Sequence, residues 1–393
     1  MQRSHRLVFI GIGLLALAAG AVSWAANCNV TTVNKTPIND LGGNLYLNQF
    51  QGGLYPNGSN AMPAPHATVG VQRSADVVPL NTAGQPNAAN GKYVLLSIGM
   101  SNTTQEFSRF MQIASTNAQV NHSKLVIVDG AAGGQTASMW DEPTDSNYDR
   151  VRDQKLAPWG LSEQQVRAAW VKMANASPSV ALPNANAEAY TLLSQMGDIA
   201  RTLKARYPNI KVVFFSSRIY AGYASTGLNP EPYAYESGFA VKWLIEAQIN
   251  QMNGGGANPI TGDLNYNTVS PWIAWGPYLW ADGLTPRSDG LIWECSNLST
   301  DGTHPSETGR EKVAGQLLSF MLNSPQASPW FRGRVGDATG DGTVNAQDLL
   351  EVINHWGPCP QPCPARCASD VSPIAGDCQV NVNDLLAVIN FWG

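Results

Sequence analysis

Short apolar runs alternate with polar, helix-spaced stretches from about residue 92 onward. The run at 92–98 (KYVLLSI) is almost wholly apolar, the pattern of a strand buried on both faces. Similar runs recur at 123–129 (SKLVIVD), 166–173 (VRAAWVKM) and 210–216 (IKVVFFS), and the segment 271–280 holds a fifth. Helical spacing fills 103–115, 187–207 and 235–252, with Pro208 stopping the second, and a last amphipathic helix is predicted over 307–322. This alternation predicts an α/β fold, a parallel sheet covered by helices on both faces. In such sheets ligands bind beyond the carboxyl ends of the strands, so functional side chains are expected in the loops that follow each strand.

The flanks differ. Residues 26–91 are rich in Gly, Asn and Pro and read as an extended, loop-rich lead-in. Before them, Arg3 and Arg6 precede an apolar run at 7–22, and Ala25 supplies a small residue for cleavage. This predicts an export signal over 1–25 and a secreted chain. Asn27 ahead of Cys28 speaks against a lipid-anchored cysteine. Beyond Trp330 the composition shifts again. DGTVNAQDLLEVINHWG at 341–357 recurs as DCQVNVNDLLAVINFWG at 377–393, with a Pro/Cys-rich connector at 358–369. Duplication marks one supersecondary unit used twice. The predicted organisation is a main domain over 26–332 and a small module over 333–393.

Composition narrows the classes. The 393 residues carry 29 acidic and 24 basic side chains, a net charge of -5, which argues against a nucleic-acid partner. Only 13% are charged, about half the usual ~25%. Six cysteines in an exported chain are expected to pair. Cys28 can pair with Cys295. Cys359, Cys363, Cys367 and Cys378 allow three connectivities, and their spacing does not match a zinc site.

Three predicted strand ends carry unusual chemistry. Gly99-Met100-Ser101-Asn102 follows the first strand, where Gly99 permits a tight turn and Ser101 opens a helix near free backbone N–H groups. Gly130-Ala131-Ala132-Gly133-Gly134-Gln135-Thr136 follows the second and leaves N–H groups open to a ligand, but lacks the lysine of a phosphate loop. Asp301-Gly302-Thr303-His304-Pro305 precedes the last helix, and a carboxylate three residues before an imidazole can fix its tautomer. Each also has a plain structural reading: an N-cap at Ser101 or Asn102, a flexible turn, and a surface turn with a solvated histidine.

In this order the three motifs resemble the blocks of the SGNH/GDSL hydrolase family, over roughly residues 92–323. The resemblance implies a three-layer α/β/α, flavodoxin-like domain and a serine esterase that needs no cofactor for catalysis. It assigns Ser101 as nucleophile, His304 and Asp301 as its partners, and the Gly134 N–H as an oxyanion donor. The family often has Asp where Met100 stands, and Gln in carbohydrate acetylesterase branches. Its Gly-x-Asn-Asp block is absent as such; Asn175 after the third strand best takes that place, with Asn186 as a rival. The implied reaction is hydrolysis of carboxylic esters, with O-acetyl groups on polysaccharide as the leading substrate. The alternatives are a lipase or arylesterase on small or lipidic esters, and a non-catalytic glycan-binding or cell-surface protein. Arg218, directly after the fourth strand, and Tyr220 are the candidates for holding substrate.

In the tail, Asp337, Thr339, Asp341, Thr343, Asn345 and Asp348 place oxygen side chains in a spacing like that of a calcium loop, with Gly342 at the sharp turn. The second copy keeps Asp377, Asn381 and Asp384, but Cys378 replaces the glycine, and its first position falls on Pro373 unless Asp370 substitutes in a shifted register. The pair resembles a dockerin-type repeat. That implies bound calcium and a partner, either a cohesin-like scaffold or a cell surface.

Overall fold

The structure, a computed structural model, describes residues 25–117, 119–333, 336–340, 343–360, 367, 369–372 and 377–393. The predicted export segment 1–24 lies outside them, as do Asp341, Gly342, Cys363 and Pro373. No helix among the described residues is long and apolar enough to cross a membrane.

The elements that position the site follow in chain order: α1 (Ala64–Ala75), β1 (Tyr93–Gly99), α2 (Ser101–Ser115), β2 (Leu125–Asp129), β3 (Val166–Lys172), α3 (Glu188–Arg206), β4 (Val212–Ser216), α4 (Tyr233–Met252), β5 (Trp272–Trp275) and α5 (Glu307–Asn323). The predicted strands and helices stand within a few residues of their expected places. Among the described residues β1 to β5 form one parallel sheet in the order β2-β1-β3-β4-β5. This is the order of flavodoxin-like doubly wound sheets. Every position of β1, β3 and β4 is buried, so both faces are covered, as their unbroken apolar runs require. α2 packs on α5, and α3 on α4.

The lead-in departs from the loop-rich expectation. Ala64–Ala75 is a helix, entered through Pro63 and Pro65, and it covers β5 at the sheet edge. The contact is close: a Cβ on Gly70 would stand 2.4 Å from the Trp272 ring. Buried His66 stacks on that ring at 4.9 Å, and its Nε2 meets the Ile273 carbonyl at 2.9 Å. A weak amphipathic pattern between glycines and prolines hid this helix, because what it buries is one tryptophan edge rather than a wide apolar stripe.

Cys28 and Cys295 are joined. So are Cys359 and Cys367, and Cys378 is also disulfide-bonded. The tail has a small hydrophobic core of its own, centred on Val344, Val352, Val380 and Val388. Two helices, α6 (Ala346–Asn354) and α7 (Val382–Asn390), pack on each other there.

Candidate active site

Strand register brings the candidates to one edge of the sheet. Gly99 pairs with Lys172, and Lys172 with Ser216. The residues two or three further on, Ser101, Asn175 and Arg218, therefore leave the sheet at one level. β1 and β3 are also where the strand order reverses, so their following loops diverge and open a crevice between them. Ser101, Gly134, Asn175, Arg218 and His304 all line a cavity of about 260 Å³.

The local turn explains why the hydroxyl is available. Gly99 has φ +158°, and a Cβ there would strike Thr103 Oγ1 at 2.3 Å and the Lys172 carbonyl at 2.4 Å. Met100, not Ser101 or Asn102, is the N-cap of α2, and it makes no side-chain cap bond. Ser101 is thus the first helical residue, and its hydroxyl stands 2.8 Å from His304 Nε2. On the far side of the ring, Nδ1 lies 2.5 Å from Asp301 Oδ2. A carboxylate accepts, so Nδ1 carries the proton and Nε2 presents a lone pair to the hydroxyl. Asp301 Oδ1 also accepts from the backbone N–H groups of Thr303 and His304, at 2.9 and 3.0 Å. Burial alone raises the Asp301 carboxyl, but these bonds outweigh it, the His304 ring first, and hold it below the usual range.

The two catalytic loops are tied together. The buried Asn102 side chain donates to the Thr303 carbonyl at 3.0 Å, which fixes the serine turn to the histidine turn. Gly302, at φ +65°, lies so close to the Tyr223 carbonyl that a Cβ would stand 2.0 Å from it. The glycine turn after β2 is held from below by Asp129. Its Oδ1 accepts from Ser97 Oγ at 2.5 Å, and Ser97 Oγ in turn accepts from Gly130 and Ala131 N–H. A Cβ on Gly133 would lie 4.0 Å from Ser101 Cβ, so this turn passes directly beside the hydroxyl. Among the described residues neither Ser101 N–H nor Gly134 N–H has a backbone or side-chain acceptor. Both are free donors beside the Ser101 hydroxyl.

Asn175 faces the same cavity, but both its amide hydrogens are engaged, with Glu188 at 2.9 Å and Gln195 at 2.6 Å. As it stands it has none left for an oxyanion. Its rival Asn186 is exposed and does not line the cavity. Arg218 lines the cavity while remaining 1% exposed, and its Nε and Nη2 are buried without partners. Asn229 Oδ1, beside the same cavity, is also buried without a partner. The expectation for Tyr220 is corrected: its ring is buried against Tyr223 and Trp280, and its hydroxyl donates to the Val30 carbonyl at 2.9 Å, away from the cavity lining.

Sequence reasoning missed the ion pair beneath the site. Lys172 at the end of β3 donates to both Glu106 oxygens, and both side chains are wholly buried. A lysine at the buried end of a strand whose other charged residue, Arg167, stands near its start was the available signal. Burial lowers the Lys172 ammonium, with Glu106 opposing.

In the tail the two copies repeat one arrangement. Asp348 Oδ1 accepts from Thr339 N–H at 2.8 Å, and its Oδ2 from Asn345 N–H at 2.8 Å. Asp384 Oδ1 accepts from Val371 and Ser372 N–H, and its Oδ2 from Asn381 N–H at 2.8 Å. Ser372 thus matches Thr339, and Asp370 stands two residues before Ser372 as Asp337 stands two before Thr339. Asp370 turns inward, accepting from Asp377 and Cys378 N–H. Among the described residues no three acidic, histidine or cysteine side chains converge as a metal cage, and Asp341 lies outside them. The oxygen-only donors Asp337, Thr339, Thr343, Asn345 and Asp348, with Asp377, Asn381 and Asp384 in the second copy, would suit a hard cation rather than a soft one.

No family model and no curated protein matches the chain. Among solved structures, one described as a GDSL-like lipase from Parabacteroides merdae aligns with 60% of this chain and 98% of its own, at 11% identity and a TM-score of 0.30. A likeness that low carries no argument, and the chemistry is read from the site itself.

Proposed function

We propose that the chain is a secreted serine esterase that hydrolyses carboxylic esters, with O-acetyl groups on polysaccharide as its substrate. The observation that carries this reading is the continuous line Ser101 Oγ, His304 Nε2, His304 Nδ1, Asp301 Oδ2 at the mouth of a cavity. His304 takes the Ser101 proton as Oγ attacks the ester carbonyl. Asp301 holds the ring and stabilises its cation. The Ser101 and Gly134 N–H groups receive the oxyanion, each worth roughly 3 kcal/mol. His304 then returns its proton to the departing alcohol. Water repeats the sequence on the acyl-serine and releases the acid. No cofactor enters these steps. A cavity of about 260 Å³ is at or below the small end of ligand sites, typically ~300 Å³ upward, and favours a short acyl group over a long chain.

Replacing Ser101 with Ala is expected to lower p-nitrophenyl acetate hydrolysis by about 10³-fold or more while circular dichroism stays unchanged. Retained turnover, or failure of the native serine to react with a fluorophosphonate, would remove the esterase reading. Release of acetate from acetylated xylan, set against medium-chain esters, separates the polysaccharide reading from a lipase.

The tail is proposed as a calcium-stabilised docking module for a cohesin-like or cell-surface partner. Leu350, Ile353 and Trp356 in one copy, and Leu386, Ile389 and Trp392 in the other, stand about half exposed. Calcium, when bound, would supply a fixed charge for the loop oxygens to wrap. Chelator titration of the full chain should then lower its helical signal; an unchanged spectrum counts against the ion.

A further inference from the structure

Arg218 is an unusual cation. It is 1% exposed, and among the described residues no hydrogen bond holds its guanidinium. Nε and Nη2 are sealed in without acceptors, so Nη1 is the nitrogen through which the group meets the cavity it lines. An arginine does not escape this position by losing its proton. Burying a charge without a partner is costly, and such groups are normally paired.

The nearby acids do not serve as that partner. Glu106 is taken by Lys172, which donates to both its oxygens. Asp301 is committed to the His304 ring and two backbone N–H groups. Glu231 spends both its oxygens on Ala221 N–H, Tyr235 N–H and Trp280 Nε1; burial raises its carboxyl and those bonds oppose the rise. Among the described residues none of these acids hydrogen-bonds the guanidinium, which they attract only through space, so its donors are left without an acceptor at the wall of the cavity that Ser101 also lines.

We propose that Arg218 is the recognition group for a carboxylate on the substrate, so that the preferred esters are anionic and carry their charge within a few bonds of the scissile carbonyl. This rests on the esterase reading for its reaction but not for its binding. On an O-acetyl substrate the charge sits on the alcohol side; a charge on the acyl side would replace acetyl with a short dicarboxylic acyl group, and the chemistry at Arg218 is the same. Water can accept such a bond, whereas a carboxylate accepts it as a charge-assisted and stronger one.

The test uses two isosteric pairs. Monomethyl succinate against methyl succinamate places the charge on the acyl side. Acetoxyacetate against acetoxyacetamide places it on the alcohol side. Turnover by the native protein in a pH-stat is expected to favour the carboxylate member of at least one pair by about tenfold or more in kcat/KM. Which pair shows it identifies the side. In Arg218→Met, or Arg218→Gln should the first not fold, that ratio is expected to fall below about threefold. Calorimetry on Ser101→Ala reads the same preference as binding, without catalysis. Turnover of both members with no charge preference overturns the inference and leaves the esterase standing. So does a native ratio that persists in the Arg218 variants, because another group must then hold the charge. Charge-selective binding by Ser101→Ala, lost on Arg218→Met, upholds the inference even if the native protein hydrolyses none of these esters, in which case it is the esterase reading that fails.

Discussion

Asp301 binds three N–H groups with two oxygens, one in the His304 ring and two in its own turn. Its role is therefore orientation as well as charge. Asp301→Asn keeps the turn's size but removes the acceptor that selects the Nδ1 tautomer. Its kcat on p-nitrophenyl acetate is expected to fall by about 10³–10⁴-fold with little loss of stability. A fall of less than tenfold would deny the carboxylate this part. His66 illustrates a titratable residue outside the site. Burial pushes its imidazole down to about 4, partly opposed by the Ile273 carbonyl. The unfolded chain takes up this proton near pH 6.5, the folded chain only near pH 4. Between those values the unfolded state holds more protons, so stability should drop as pH falls from 6.5 to 4, by about 3 kcal/mol in total. His66→Gln is expected to flatten that part of a denaturation-versus-pH profile. An equally steep profile in the variant would place the acid sensitivity elsewhere.

At the scale of elements, the turn between β1 and α2 is the most constrained. Gly99→Ala would drive a Cβ against the Lys172 carbonyl, which is backbone and yields little. A loss of about 2 kcal/mol or more is expected in urea unfolding, with activity falling because Ser101 moves. Normal stability would mean the turn relaxes freely. In the tail, Asp348 closes a capping box at the start of α6, receiving the Asn345 N–H while Asn345 receives Gln347 N–H. Asp348→Ala should therefore cost the module about 1–2 kcal/mol even without calcium. A repeated acidic residue before a helix has this second physical reason besides ligation. The strands of the sheet were easy to read because continuous apolar runs are a local signal. α1 was not, because its burial is confined to the Trp272 side of the sheet edge.

For the whole molecule, the link from Cys28 to Cys295 spans 267 residues. It ties the lead-in to the segment ahead of α5 and so braces the His304 turn from outside. Replacing both cysteines with serine is expected to cost about 3–5 kcal/mol in denaturant unfolding, since a long loop loses much entropy when closed. An unchanged midpoint would show that packing alone holds the lead-in. The tail has a separate core, while the cavity is lined entirely by residues before 305. Removal of 333–393 should leave p-nitrophenyl acetate hydrolysis within about twofold.

Periodicity and motif order, both carried by neighbouring residues, were enough to determine the alternating parallel sheet, the loops that carry Ser101, Gly134 and His304, and the duplicated tail. Strand register and crossover direction decided the rest, because they set which of several distant loops meet. Only the folded chain joins Asn102 to Thr303 across 201 positions. It also engages the Asn175 amide with Glu188 and Gln195, turns Tyr220 into the core, and leaves the Arg218 guanidinium without a hydrogen-bond acceptor among the described residues. A side chain's neighbours across the sheet, and hence its unmet hydrogen bonds, are not written in the residues beside it.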